Sequence, residues 1–343
     1  MSALVAFWNL ENLFAPEGYP AREPWIAKAM QKDLKGWSET LFKRKVAQLG
    51  SIIVRMKDGA GPDILGVCEV ENRYALQALA DQLNQALPAR NYQLVHVDSA
   101  RDQRGVDTAF LYDAKQFTAK TDELFSHWVM RQTGTRDITQ ITFVAPSGKQ
   151  IVMMANHWPS RSSSTGDGAE YSSGFRATAG ETLAYWHGRI RELKGDNVAV
   201  IAFGDFNDEP YDKSVTIHAQ GLRDKGDVTR TRSAKFYNLS WEYLTVMTQD
   251  RKGNQRLLNG TLYFGSDASL FDQILISSGL LTGKSGWRTV DGSARIEAYP
   301  PMVSHRVGEG PIRFGLPAGD VAENVNLDGY SDHFPVSVRV EEV

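Results

Sequence analysis

Unbroken apolar runs and helix-spaced apolar stripes follow one another along this chain. Leu4–Trp8, Ile64–Cys68 and Val198–Phe203 are runs with no polar break, the pattern of strands covered on both faces. Tyr92–Val97, Thr108–Tyr112, Ile138–Val144, Ile151–Ala155 and Leu270–Ile276 also read as strands. Pro146-Ser-Gly148 predicts a turn between two of them, and Phe334–Val340 alternates as a last strand. Helical spacing appears at Leu41, Phe42, Val46, Leu49, Ile52 and Ile53, with Ser38 placed to cap them. It recurs at Leu76, Leu79, Leu83 and Leu87, closed by Pro88, and at Ala179, Leu183, Trp186, Ile190 and Leu193.

Between these elements lie residues 15–36, with Pro16, Pro20 and Pro24, which read as an irregular surface excursion. Residues 160–174 are rich in Ser and Gly and predict a mobile loop; 225–260 are polar, and 279–328 are rich in Gly and Pro. Strands and helices are mixed throughout, the mark of an α/β protein. No repeat or linker divides the chain, so the expectation is a single domain over 1–343.

Composition narrows this little. Length alone allows two domains, and 42% hydrophobic residues suffice for a large core. A net charge of −3 names no partner, so binding of nucleic acid would have to rest on a local patch. Cys68 is the only cysteine, which excludes an intrachain disulfide and suits a reduced core thiol. No apolar run reaches the length of a membrane span, and the N-terminus shows no basic, apolar and cleavage-site series. Cytoplasmic location and secretion after removal of a signal both remain open.

The chemistry sits where strands end: Asn9, Glu69, His157, Asp205 with Asn207, and Asp332 with His333. Open sheets bind ligands at strand ends, although Asp, Asn and Gly are also ordinary turn residues. Glu69 follows five apolar residues, and a carboxylate buried there needs a partner or a cation. Carboxylates and imidazoles without a second cysteine suit Mg²⁺ or Mn²⁺ rather than a thiolate zinc site.

Asn9, Cys68-Glu69-Val70-Glu71-Asn72, Arg104-Gly105-Val106-Asp107, Asn156-His157-Trp158-Pro159-Ser160, Gly204-Asp205-Phe206-Asn207, Phe271-Asp272-Gln273 and Ser331-Asp332-His333-Phe334-Pro335 occur in this order. The set resembles the endonuclease/exonuclease/phosphatase superfamily of DNase I-like proteins. It is most similar to the bacterial branch whose first strand runs into Glu-Asn-Leu-Phe, here Glu11–Phe14. The resemblance implies a four-layer αββα sandwich of two mixed sheets flanked by helices, and metal-dependent cleavage of phosphate esters. It implies Glu69, Asp332 and Asn9 at the metal, Mg²⁺ with Mn²⁺ or Ca²⁺ as alternatives. It implies Asp205 activating water, Asn207 orienting water or phosphate, and His157 and His333 facing the phosphate, His333 with Asp272 behind it.

Other residues carry two readings each. Asp107 is an acid for His157 or a strand-edge turn residue, and Asn72 binds phosphate or caps a helix. Arg161 and Arg176 are phosphate contacts or solvated loop charges. Arg230, Arg232 and Lys235 are more simply an exposed polar loop than a nucleic-acid track, and the sequons at Asn238 and Asn259 are chance matches if the source is bacterial. The expected function is an Mg²⁺-dependent phosphodiesterase with nuclease-like activity, acting as a monomer on a phosphate ester, nucleic acid foremost. The alternatives are a phosphomonoesterase, a phosphodiesterase of the phosphoinositide or sphingomyelin type, and a non-catalytic binding protein of the same fold.

Overall fold

The computed structural model describes residues 1–99, 102, 104–131, 133–161 and 168–343. Two seven-stranded mixed sheets pack face to face with helices outside them, the α/β sandwich the sequence predicts. The first sheet runs, in spatial order, Trp287–Thr289, Val336–Glu342, β1 (Ser2–Leu13), β2 (Ile64–Val70), β4 (Asp107–Asp113) and β3 (Tyr92–His96). Arg295–Ile296 pairs beside Val336–Glu342. The second runs β5 (Thr118–His127), β6 (Ile138–Val144), β7 (Gln150–His157), β8 (Val200–Asp205), Asp272–Ser277, Phe236–Asn238 and Gly221–Leu222.

β8 shows why its apolar run is unbroken. Ile201 and Phe203 face the other sheet, while Val200 and Ala202 face outward to Ala179, Leu183 and Ile190 of the Gly168–Lys194 helix. Phe203 lies between Phe7 and Phe110, with ring centroids at 5.5 and 5.8 Å. Its ring fills the space opposite Gly66, where an added Cβ would sit 2.0 Å from a ring carbon. Glycine at this place in β2 lets the two sheets interlock.

Strand direction brings the polar ends together. β1 and β2 run parallel, as do β7 and β8, so Asn9, Glu69, His157 and Asp205 emerge at one edge. Asp272–Ser277 runs antiparallel to β8 and Val336–Glu342 antiparallel to β1, so Asp272 and the turn carrying His333 reach that edge from their N-terminal sides.

Three parts differ from the sequence reading. Residues 15–36 are not wholly irregular: Pro24–Ala29 is helical, with Pro24 at its first turn, where the missing N–H costs nothing. The helix of the third stripe starts at Gly168, so the expected loop stops short of it, and residues 162–167 lie outside the described residues. Arg176 donates to Ser172 one turn back, at 2.5 Å, which helps to hold this early helical stretch. β5 went unread because it is an edge strand with mixed polar positions and no apolar run. No helix among the described residues is long and apolar enough to cross a membrane.

Candidate active site

Glu69 owes its position to a break in the ladder. Cys68 pairs with Thr108 and Val70 with Asp107, leaving Glu69 as the extra residue of a bulge, at φ +61°. A bulge turns a side chain out of the alternating pattern, and non-glycine residues in left-handed conformations gather at functional sites. Glu11, Asn12 and Asn207 share that conformation, at φ 50°, 61° and 50°.

Asp205 is the centre of the cluster. Its Oδ1 accepts from the Asn207 backbone N–H at 2.9 Å and its Oδ2 from the Asn9 side-chain amide at 3.1 Å. The same Oδ2 lies 3.8 Å from His157 Nε2 and 3.8 Å from His333 Nε2. His333 Nδ1 meets Asp272 Oδ2 at 2.7 Å, and Asp272 pairs with Asp205 in the β-ladder. Glu69 Oε2 accepts from the Asn12 backbone at 2.9 Å, while its Oε1 lies 3.7 Å from His157 Nε2. Asn207 donates from its amide to the Trp158 carbonyl at 3.0 Å, closing the turn over β7.

The Ser331–His333 segment is tied to β1 from both sides. Ser331 Oγ donates to the Asn9 carbonyl at 2.6 Å, and the Trp8 indole donates to the His333 carbonyl at 2.8 Å. Asp332 is thereby carried to the edge where Asn9 and Glu69 end.

Burial and charge set the protonation of the cluster. Burial pushes the Asp205 carboxyl up to about 6, against the pull of His333. Burial opposes charge on His333, but Asp272 and Asp205 outweigh it and hold the imidazolium well above the usual histidine range. His157 goes the other way: burial, then the charges of Arg136 and Arg104, hold it well below that range, so it is neutral. Its Nδ1 is buried with no hydrogen-bond partner among the described residues. Burial raises Glu69, but Arg104 and His333 outweigh it and keep it ionised. Burial and then the charge of Glu11 push Asp332 up to about 7.

The donor set fits a hard divalent cation. Glu69, Asp332 and Asn9 offer oxygen atoms, and a positive ion would offset the burial and the charge of Glu11 that raise Asp332. A different set, His96, Asp98 and Asp107, brings its ligand atoms within 4.8 Å of one another. There His96 and Asp107 already satisfy each other at 3.0 Å.

That contact corrects the reading of Asp107. It faces His96 and accepts from the Ser99 backbone at 2.7 Å, and it does not pair with His157. The reason is pleat: Asp107 lies on the same face as Ala109, two residues on, and Ala109 is the register partner of His96. Asn72 caps a helix, with its Oδ1 accepting from Ala75 N at 3.0 Å at the start of Arg73–Ala86. Asn72→Ala should therefore cost about 1 kcal/mol in urea unfolding, and an unchanged midpoint would remove the cap from the account.

Arg161 and Arg176 are tied into ion pairs rather than left as solvated loop charges. Both guanidinium groups converge on Asp208, at 2.9 and 2.7 Å, behind the Asp205–Asn207 turn. Arg161 also bonds the Asn207 carbonyl at 2.9 Å and lies over the Phe271 ring, while Arg176 is buried. An acid directly after the Asp-Phe-Asn motif draws them inward.

Two cations escaped the sequence reading. Arg104 places Nη1 3.6 Å from Glu69 Oε1 and bonds the Asn12 side chain. Arg136 donates to the Trp158 carbonyl at 2.9 Å, and its Nε is buried without a partner among the described residues. Arg104 stood in a recognised motif without an assigned role, whereas nothing around Arg136 marks it in the sequence.

Two packed mixed sheets with carboxylates, an imidazolium and arginines at one shared edge define a hydrolase of phosphate esters. The chain belongs to the Endonuclease/Exonuclease/phosphatase family, whose sequence model matches residues 4–342. Members of that family are phosphoesterases that generally use a divalent metal. Among solved structures the fold is similar to a mannosyl-6-phosphatase of Bacteroides thetaiotaomicron, at TM-score 0.53 and 17% identity over 99% of each chain. It is also similar to the human Nocturnin catalytic domain with bound sulfate, at 0.53 and 16% identity over 100% of this chain and 95% of that one. A humanized zebrafish (D. rerio) TDP2 gives 0.54 at 14% identity over 99% of each chain. Comparison with curated proteins finds no match.

Proposed function

We propose that the chain is a single catalytic domain acting as an Mg²⁺-dependent phosphodiesterase with nuclease-like activity, cleaving its substrate by attack of water on phosphorus. The observation that carries this reading is Asp205 Oδ2, set 3.8 Å from each of two imidazoles of opposite protonation. Asp205 takes the proton of the attacking water, fixed in place by the Asn9 amide and the Asn207 backbone. The His333 imidazolium, charged by Asp272, stabilises the negative charge that builds on the non-bridging oxygens. Neutral His157 donates a hydrogen bond to the same phosphate, and the Asn207 amide orients water or phosphate. Glu69, Asp332 and Asn9 would hold the metal, which when bound supplies Lewis-acid stabilisation of the phosphate. Nucleic acid is the substrate we favour, bound by a monomer.

One observation favours a second reading, a phosphomonoesterase. Arg136, ion-paired to Asp102 at 3.5 Å but with a buried and unpartnered Nε among the described residues, puts positive charge on His157 and adds charge suited to a dianionic phosphate, and one protein of similar fold is a mannosyl-6-phosphatase. Hydrolysis of plasmid DNA, single-stranded DNA, RNA, inositol phosphates, sphingomyelin and bis-p-nitrophenyl phosphate, each with Mg²⁺ and with EDTA, tests both. Diesters should turn over faster than monoesters, and EDTA should stop turnover until Mg²⁺ is restored. Turnover unchanged after rigorous metal removal would sink the mechanism, and a preference for monoesters would select the second reading.

A further inference from the structure

Beside the catalytic edge a cleft of about 420 Å³ opens between the 15–36 excursion and the segment that follows Glu69. We propose that this cleft is a subsite for a ring-bearing group esterified to the scissile phosphate, a nucleoside or a sugar, and that Trp25 and Tyr74 are its specificity-determining residues. The proposal rests on the phosphoesterase reading and deepens it.

The cleft is built and held. Arg22 pairs with Glu71 and donates to the Ala15 carbonyl at 2.6 Å, pinning the excursion to the end of β2. Ile26 packs where a Cβ on Gly105 would stand, 2.4 Å from its Cδ1, and Gly105 sits at φ +65°. Only glycine lets the excursion close against the loop that carries Arg104. Arg104 in turn reaches Asn12 and Glu69, so the cleft and the catalytic edge share a wall.

Its aromatic surface is fixed and open. Tyr74 lies between Tyr19 and Phe42, with stacked rings at 4.8 and 5.7 Å, yet remains 38% exposed. Trp25 lines the same cleft and is 40% exposed. Both faces of Tyr74 are thus covered, so it meets a ligand with its edge and hydroxyl as a rigid wall, and Trp25 is the ring on which a ligand ring stacks.

The polar lining decides the class. Arg73 is exposed and has no ion pair among the described residues, and the Asp98 carboxylate is 84% exposed. Together with Glu23 they make a rim of donors and acceptors around the rings. An acyl chain would leave these charges beside methylenes, whereas the hydroxyl groups of a sugar or the edge of a base can bond to them.

The test compares kcat/KM for thymidine phosphates and hexose phosphates with that for glycerol phosphates, as monoesters and as diesters. The wild-type protein should prefer one ring-bearing series over the ringless one by about tenfold, the worth of a stacked ring. Trp25→Ala should remove most of that ratio through KM, Tyr74→Ala should remove part of it by taking away the wall beside Trp25, and Trp25→Phe should keep it. The favoured series tells nucleoside from sugar. A ratio near one in the wild type, or one untouched in both alanine variants, overturns the proposal while leaving the phosphoesterase reading standing. If no ester is hydrolysed, it is the phosphoesterase reading that fails. The cleft is then judged by binding: thymidine monophosphate or hexose phosphate should change the fluorescence of the wild-type protein and not that of Trp25→Phe, and no such difference overturns the subsite.

Discussion

His333→Ala should lower kcat about a thousandfold, near 4 kcal/mol of lost transition-state stabilisation, in a protein that stays folded. The ring is buried, and its Nδ1 is held 2.7 Å from Asp272. Its removal therefore takes away both a cation and the group that opposes the rise of Asp205. The Trp8 indole bonds the His333 backbone and not its ring, so the tie between this segment and β1 survives the substitution. Asp272→Asn separates charge from geometry: an amide oxygen can still accept from Nδ1–H, but the imidazole loses its main source of positive charge. Its kcat should fall nearly as far. Steady-state turnover with circular dichroism as the folding control decides the matter, and wild-type turnover in His333→Ala would refute the role assigned to it.

Glu69→Gln should weaken Mg²⁺ binding about a hundredfold or more by calorimetry, and turnover should fall in step at a fixed Mg²⁺ concentration. The amide oxygen of glutamine can still accept from the Asn12 backbone, so the bulge has no reason to collapse. The variant loses the full negative charge, which a hard divalent cation needs from its ligands. Arg104 loses its ion-pair partner at the same time. Unchanged affinity in a folded Glu69→Gln protein would transfer the metal to other residues, with Asp332 the first to examine.

How far the chain could be read depended on whether a residue answers to its neighbours in sequence or in space. The apolar run of β8, the Ser38 cap accepting from Leu41 at 3.3 Å, and the helix opened by Asn72 are local matters of period and capping, and they stand where the sequence puts them. The site residues at strand ends were legible as a group because parallel and antiparallel strands bring those ends to one edge. Pairings within the group were not. Asp107 turned to His96 through the pleat of a sheet whose register no motif announces. Arg161 and Arg176 lost their freedom to Asp208, an acid to which the sequence reading gave no role. The helical start at Gly168 and the short Pro24–Ala29 helix depend on tertiary anchors that composition does not reveal.

The place where Phe203 fills the gap opposite Gly66 gives the active site a gauge of its own spacing. Asn9, Glu69 and the His333 turn belong to one sheet, and His157, Asp205 and Asp272 to the other. The 3.8 Å from His333 to Asp205, the 3.1 Å from Asn9 to Asp205 and the 2.7 Å bond between His333 and Asp272 therefore measure how one sheet is seated on the other. A close-packed interior resists sliding, so the tolerance of the chemistry is set in the middle of the molecule. The outer loops are left free to vary with the substrate.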